Sequence, residues 1–367
     1  MNDFRAGLRN RNPVVLVLAA LLVLPALLGM EYCFTSGAWT AVPLKYWIRS
    51  LGDGLMYVSW TAADLKREPP DAPLVALTGG SGGREGIWTG EALSADVAAL
   101  GGPEIVGANL SCPAQSFGET LAIVDTLPRA PTTVLVGVSI GRFTRHPEAS
   151  LDQAVGRRLL LKSDTLRQFA ATRYGEHRYS PTILPGVLQS LATWLYKRAS
   201  NWEKGNFKLF TFVPHTFDLR ELRRPETAAH KAKVQLALRS HPEALAARLK
   251  TNLDKNLAFN AALLDELVRR GQERGLDIVL LQLPHNPVAS EAAFGGAFAA
   301  CRDASTAIAA KYGVPYVDFN DELELTGADF YDFSHLRPGG RTIWQARLAR
   351  ELARLYRSGA IAGGQAP

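Results

Sequence analysis

The chain has 367 residues, 47% hydrophobic and 21% charged, with a formal net charge of +6 at pH 7. That composition supports a sizeable folded core and excludes a disordered chain, and the length admits one large domain or two ordinary ones. The positive excess is spread thinly, with Arg-Arg pairs at 157, 223 and 269 and no long basic run interleaved with aromatics. It suits an anionic lipid or polymer and argues against nucleic-acid binding.

Residues 1–12 carry Arg5, Arg9 and Arg11 against the single acid Asp3, and an uncharged run follows from Pro13 to Met30. Eighteen residues suffice to span a bilayer as one transmembrane helix, and the arginines predict a cytoplasmic N-terminus with the rest of the chain exported. A cleaved signal peptide is the competing reading, because Ser36-Gly37-Ala38 offers small residues at a cleavage spacing. The run is long for a signal peptide, and Trp39, Tyr46 and Trp47 stand where interfacial anchors would, so an uncleaved anchor is preferred. Cys33 lacks the preceding small residues of a lipoprotein site. Cys33, Cys112 and Cys301 have neither metal-ligand spacing nor a disulfide framework.

Residues 31–72 read as an interfacial segment and linker ending in Pro69-Pro70, and a globular domain is expected over 73–358, with a short tail after it. The apolar run Leu74 to Leu77 predicts a buried parallel strand, which breaks into Thr78-Gly79-Gly80-Ser81-Gly82-Gly83-Arg84-Glu85. Glycines on both sides of Ser81 let the backbone turn sharply and let a substrate approach the hydroxyl. The plain alternative is a strand-to-helix turn with an incidental serine. A phosphate-binding loop is excluded, since it would end in Gly-Lys-Ser/Thr.

Further strands are predicted at 105–110, 133–139, 277–283 and 314–319, with helices between them; one carries apolar residues at 257, 261, 264 and 268. Apolar strands alternating with helices indicate a parallel sheet covered on both faces, a three-layer α/β/α arrangement. The segment 145–253 breaks the rhythm, with Pro181, Pro185 and Pro214, and reads as a mostly helical insertion that is either a lid or docking surface or simple packing. His146, His177, His215, His230 and His241 within it have no metal-ligand spacing. No cofactor is expected.

Near the other end lies Tyr331-Asp332-Phe333-Ser334-His335-Leu336-Arg337-Pro338, ahead of an amphipathic helix with Trp344, Leu348, Leu352 and Leu355 on one face. Asp332 and His335 are three apart, so one can orient the other across a turn. A hydroxyl nucleophile needs a base within reach and a third group that holds the base, roles that Ser81, His335 and Asp332 can fill. Alone, the later stretch also reads as a helix cap beside a surface histidine.

Together, Gly79-Gly80-Ser81 after the first strand and Asp332-Phe333-Ser334-His335 before the last helix resemble the SGNH (GDSL-like) hydrolase family. The resemblance implies an SGNH/flavodoxin-like fold and a catalytic triad of Ser81, His335 and Asp332. Family members use a glycine N–H after the second strand and an asparagine after the third as oxyanion donors. Here the stretch from Asn109 to Gln115 has no glycine, and Ser139 stands where the asparagine would. An oxyanion donor is worth several kcal/mol, so Gly82, Ser111, Ser139, Arg142 and Arg84 are the remaining candidates for oxyanion or substrate contact.

The departures and the anchor resemble the exported branch of the family that acylates cell-surface polymers. The resemblance implies an extracytoplasmic acyltransferase or esterase acting on O-acyl, specifically O-acetyl, groups of a surface polysaccharide, tethered to the inner membrane beside a multipass membrane acyltransferase. The rivals are a catalytically weak glycan-binding or assembly component of an envelope complex, and a polysaccharide deacetylase.

Overall fold

The computed structural model describes residues 13–48, 54–129, 131–154, 159–174, 183–203, 233, 236 and 238–362. Arg5, Arg9, Arg11, His177, His215, His230, Pro181, Pro214 and the end of the tail lie outside that set. The core is an all-parallel five-stranded sheet of β1 (Leu74–Thr78), β2 (Val106–Asn109), β3 (Thr132–Val138), β4 (Asp277–Gln282) and β5 (Tyr316–Val317). The strands lie in the order β2-β1-β3-β4-β5. Each falls within a residue or two of an apolar run read from the sequence.

Alternate side chains of each central strand enter different cores, which makes the sheet the middle of three layers. Leu74 and Ala76, Val134 and Val136, and Ile278 and Leu280 pack into one cluster. Val75 and Leu77, Leu135, and Val279 and Leu281 pack into another. The first face is covered by α2 (Gly54–Arg67), α5 (Phe117–Thr126), α8 (Asp164–Tyr174), α10 (Pro242–Glu273) and α11 (Ala292–Tyr312), the second by α4 (Gly90–Ala99) and α12 (Pro338–Arg357). Local signals set the helix ends. Ser116 and Glu119 form a reciprocal capping box at the start of α5, Gly313 closes α11 in the left-handed conformation, and Pro338 opens α12.

Crossovers run outward in both directions from the β1–β3 pair, so their carboxyl ends form the crevice in which parallel sheets collect ligand sites. Registers Leu77↔Asn109 and Leu77↔Leu135 align the three strand ends at this edge. The short α3 (Ser81–Gly86) leaves directly from β1.

Two expectations for the N-terminal part are corrected. Gly54–Arg67 is no linker: Val58 and Ala62 of α2 enter the main core, while Met56 and Ala63 face a third cluster. That cluster also holds Trp39, only 3% exposed and stacked on Phe34 at 5.0 Å, so this tryptophan is a packing residue and not an interfacial anchor. α1 (Pro13–Ser36) joins the domain through its last turns: Phe34 enters that cluster, and the Glu31 carboxylate accepts the Ile183 N–H at 3.1 Å. Earlier in α1, Val17, Leu18, Leu21, Leu22, Val23 and Leu24 are exposed. Among the side chains described, no helix is long and apolar enough to cross a membrane. Pro13, Val15, Leu16, Ala19 and Ala20 of α1 are not among those side chains.

The described part of 145–253 is helical, comprising α7 (Pro147–Ala154), α8, α9 (Leu184–Glu203) and the start of α10. Leu151, Leu161 and Leu166 pack into the main core, so part of this segment is structural.

Candidate active site

Ser81 is the first residue of α3, and its Oγ lies 2.6 Å from His335 Nε2 although 254 residues separate them. His335 Nδ1 sits 2.7 Å from both carboxylate oxygens of Asp332. An ionised carboxylate can only accept, so the imidazole proton belongs on Nδ1 and Nε2 faces the serine as an acceptor. Burial of Asp332 opposes its charge, but the His335 hydrogen bond and charge and the N–H groups of Ser334 and His335 outweigh it. The carboxyl is held below its usual range. The two N–H groups each donate to Oδ1 at 3.0 Å, which makes the stretch a tight turn built around its own aspartate.

That turn is clamped from outside. The Tyr331 N–H donates to the His335 carbonyl at 2.8 Å, and Phe330 pairs with Leu336 as an antiparallel bridge. From the loop after β4, Asn286 donates its N–H to the Phe333 carbonyl at 2.9 Å and its Nδ2 to the Asp332 carbonyl at 3.1 Å. Asn286 is therefore a positioning residue. Its only sequence signal is its place just beyond a strand's carboxyl end.

The serine turn is held by Gln115. Buried Gln115 accepts the Gly79 N–H at 2.6 Å and the Thr120 hydroxyl at 3.2 Å, and donates to the Leu110 carbonyl at 2.8 Å. Nothing in the sequence singles this glutamine out. The turn Cys112-Pro113-Ala114-Gln115 closes with a 3.2 Å bond from the Gln115 N–H to the Cys112 carbonyl. Proline second and a positive φ third are the marks of a type II turn, and the third residue, Ala114, has φ 55°. Ala114 is the one non-glycine with positive φ among the described residues and it lines the crevice. The glycine expected in this loop is absent from the sequence, but the backbone conformation that favours glycine is present.

The remaining candidates divide. Gly82 and Ser139 line the crevice with Ser81. Ser139 caps the short α6 (Ile140–Phe143) without spending its hydroxyl on the cap. Ser111 does not line it: its hydroxyl donates to the Leu77 carbonyl at 3.3 Å and packs so closely on Gly83 that a Cβ there would meet Oγ at 2.9 Å. Ser111 is a spacer for the turn. Arg84 pairs with Glu85 at 3.1 Å, also away from the crevice wall.

Arg142 is a brace. Its guanidinium donates to the carbonyls of Gly137 and Ser116 and to the Thr120 hydroxyl, and lies 4.0 Å over the Phe117 ring. Burial pushes it down to about 9 against the pull of Glu119, so it stays charged at neutral pH. These bonds leave it supporting the Thr120–Gln115–Gly79 chain, and an anionic substrate would compete with them.

The crevice encloses about 420 Å³. One wall is aromatic: Phe333 meets Phe294 and Phe298 at 5.2 and 5.4 Å between ring centroids. His285, which no sequence motif marks, continues that wall 5.0 Å from Phe298. Burial lowers its pKa, opposed by Asp318, and its buried Nδ1 has no hydrogen-bond partner among the described residues.

No family model matches the chain, and no curated protein matches it. The functional reading accordingly rests on the residues and their geometry.

Proposed function

We propose that the chain is an SGNH-like serine acyltransferase or esterase, held at the membrane by its N-terminal helix and acting on acyl groups of a cell-surface polysaccharide. The observation that carries this reading is the continuous hydrogen-bonded chain Ser81–His335–Asp332. In the first step, Ser81 Oγ attacks the carbonyl carbon of an acyl ester while His335 Nε2 takes the hydroxyl proton. Asp332 stabilises the resulting imidazolium. The tetrahedral oxyanion forms beside Gly82, Ser139 and Ala114, whose N–H groups or hydroxyl are the proposed donors. As the C–O bond breaks, His335 returns the proton to the leaving alcohol and the acyl group remains on Ser81. A sugar hydroxyl or water then attacks with His335 as base, which restores the serine.

Two features support the membrane tether. The run Pro13–Met30 is uncharged, and the exposed apolar side chains of α1 call for a non-aqueous neighbour. Cleavage after Ala38 would remove Glu31 and Phe34, both engaged with the domain, which favours an uncleaved anchor. Export and a multipass acyltransferase partner belong to the same proposal.

The test is labelling by a fluorophosphonate. The wild-type protein is expected to label, Ser81→Ala to lose labelling without loss of fold, and His335→Ala to label far more slowly. Addition of an oligosaccharide acceptor to a turning-over ester should divert acyl groups from water to sugar. Absence of labelling at Ser81 would leave only a glycan-binding role, and hydrolysis that no acceptor alters would favour a deacetylase.

A further inference from the structure

The shape and lining of the crevice say more about the acyl group than the triad does. From Ser81 it extends between the aromatic wall of Phe298 and Phe333 and the first turns of α10, where Leu245 and Leu249 face it. A volume of about 420 Å³ is that of a site for a drug-sized ligand. Acetyl, with two carbons, would leave most of it unfilled.

The walls suit an aliphatic chain better than a sugar ring. A sugar needs hydrogen-bond partners for each hydroxyl it buries. Among the described lining residues there is no Asp, Glu, Asn, Tyr or Trp. Both glutamines are already engaged, Gln115 with Gly79, Leu110 and Thr120, and Gln282 with the Tyr316 hydroxyl at 3.2 Å. Arg142 is bonded internally, and Arg145 donates to the Ala114 carbonyl. The other polar lining groups are Ser139, Arg248, His285 and Ser334, and the stretch between Leu245, Leu249, Phe298 and Phe333 is an apolar slot.

We infer that this slot receives the acyl chain and that the acyl group carried by Ser81 is an aliphatic chain of several carbons, longer than acetyl. The inference rests on the acyl-serine reading above. The sugar or water acceptor then approaches from the open side of the crevice, and the bond changes are those already given. Each methylene that leaves water for such a slot is worth about a fourfold gain in transition-state binding, until the slot is full.

The experiment uses the full chain in lipid nanodiscs, because detergent alkyl chains would compete for the slot. Hydrolysis of p-nitrophenyl esters from C2 to C12 is measured as kcat/KM. An octanoyl ester is expected to exceed the acetyl ester about a hundredfold or more, and Leu245→Trp, which adds bulk to the slot wall, is expected to cut that ratio at least tenfold. A binding readout separates this inference from the catalytic one. In Ser81→Ala, octanoate should raise the thermal midpoint where acetate does not, and the added Leu245→Trp change should abolish the shift.

An acetyl ester turned over as well as any longer one, together with no octanoate shift in Ser81→Ala, overturns the inference while leaving the triad reading intact. Octanoate binding that Leu245→Trp does not alter also overturns it, because the chain then binds elsewhere. Failure of Ser81 to label by any fluorophosphonate while octanoate still binds the slot removes the catalytic reading, and with it the claim that the chain is an acyl group on serine.

Discussion

Replacing Gln115 by leucine, nearly the same size but unable to hydrogen-bond, tests whether this side chain holds the Ser81 turn. Four bonds are lost: from the Gly79 N–H, from the Thr120 hydroxyl, to the Leu110 carbonyl and a weak one to the Cys112 sulfur at 3.5 Å. Gly79 is buried, so its N–H is left without a partner at a cost of about 1–3 kcal/mol. The Leu110 carbonyl loses a donor worth roughly 1 kcal/mol. Thr120 keeps its contact with Arg142 at 2.6 Å and adds little. The sum is about 2–4 kcal/mol, or roughly thirty- to several-hundredfold in the folding equilibrium. Chemical denaturation with an unchanged m value would measure it. Gly79 lies two residues before Ser81, so fluorophosphonate labelling should slow as well. A loss below about 0.5 kcal/mol with labelling unchanged would refute the reasoning, since the Gly79 N–H would then have found another partner at no cost.

Asp332→Asn should reduce Ser81 labelling roughly 10³–10⁴-fold, by allowing the wrong imidazole tautomer. The folded Asp332 carboxyl is held below its unfolded value, so its stabilisation is present above the ordinary carboxylate range, about pH 4, and fades as pH falls through the lower folded value. Wild type should therefore exceed Asp332→Asn in stability near neutrality, with the difference shrinking toward pH 3; a gap that is constant with pH would contradict this. Ala114→Gly should change stability by less than about 1 kcal/mol, since relief at φ 55° and the greater freedom of unfolded glycine oppose each other. Ala114→Val should lose about 2 kcal/mol or more, and equal stability of the two variants would mean the turn is unstrained. Mass spectrometry of the mature protein should find the segment before Trp39 retained, and a chain beginning at Trp39 would refute the uncleaved anchor.

The sequence alone carried the sheet and the convergence of Ser81, His335 and Asp332. Five short apolar runs between helical stretches sufficed for a parallel sheet, because strands buried on both faces have no polar side to disguise them. Ser81 was legible because a serine displayed on a sharp turn needs glycines around it. Asp332 and His335 were legible because a spacing of three brings them together locally. What no local pattern encodes is which distant groups hold those loops. Gln115, Asn286 and Arg142 act through backbone atoms tens of residues away, and a carbonyl or N–H looks the same in every residue, so their partners appear only when the chain is folded. The same holds for Trp39, which is an interfacial residue by position but a core residue once α1, α2 and α9 enclose it. Ala114 shows the converse, a glycine-like conformation imposed on alanine by the turn around it. The crevice beside Ser81 was invisible for a further reason. Its walls come from β4, α10, α11 and the turn at Asp332, and the volume between elements depends on how they pack, which is a property of the tertiary structure.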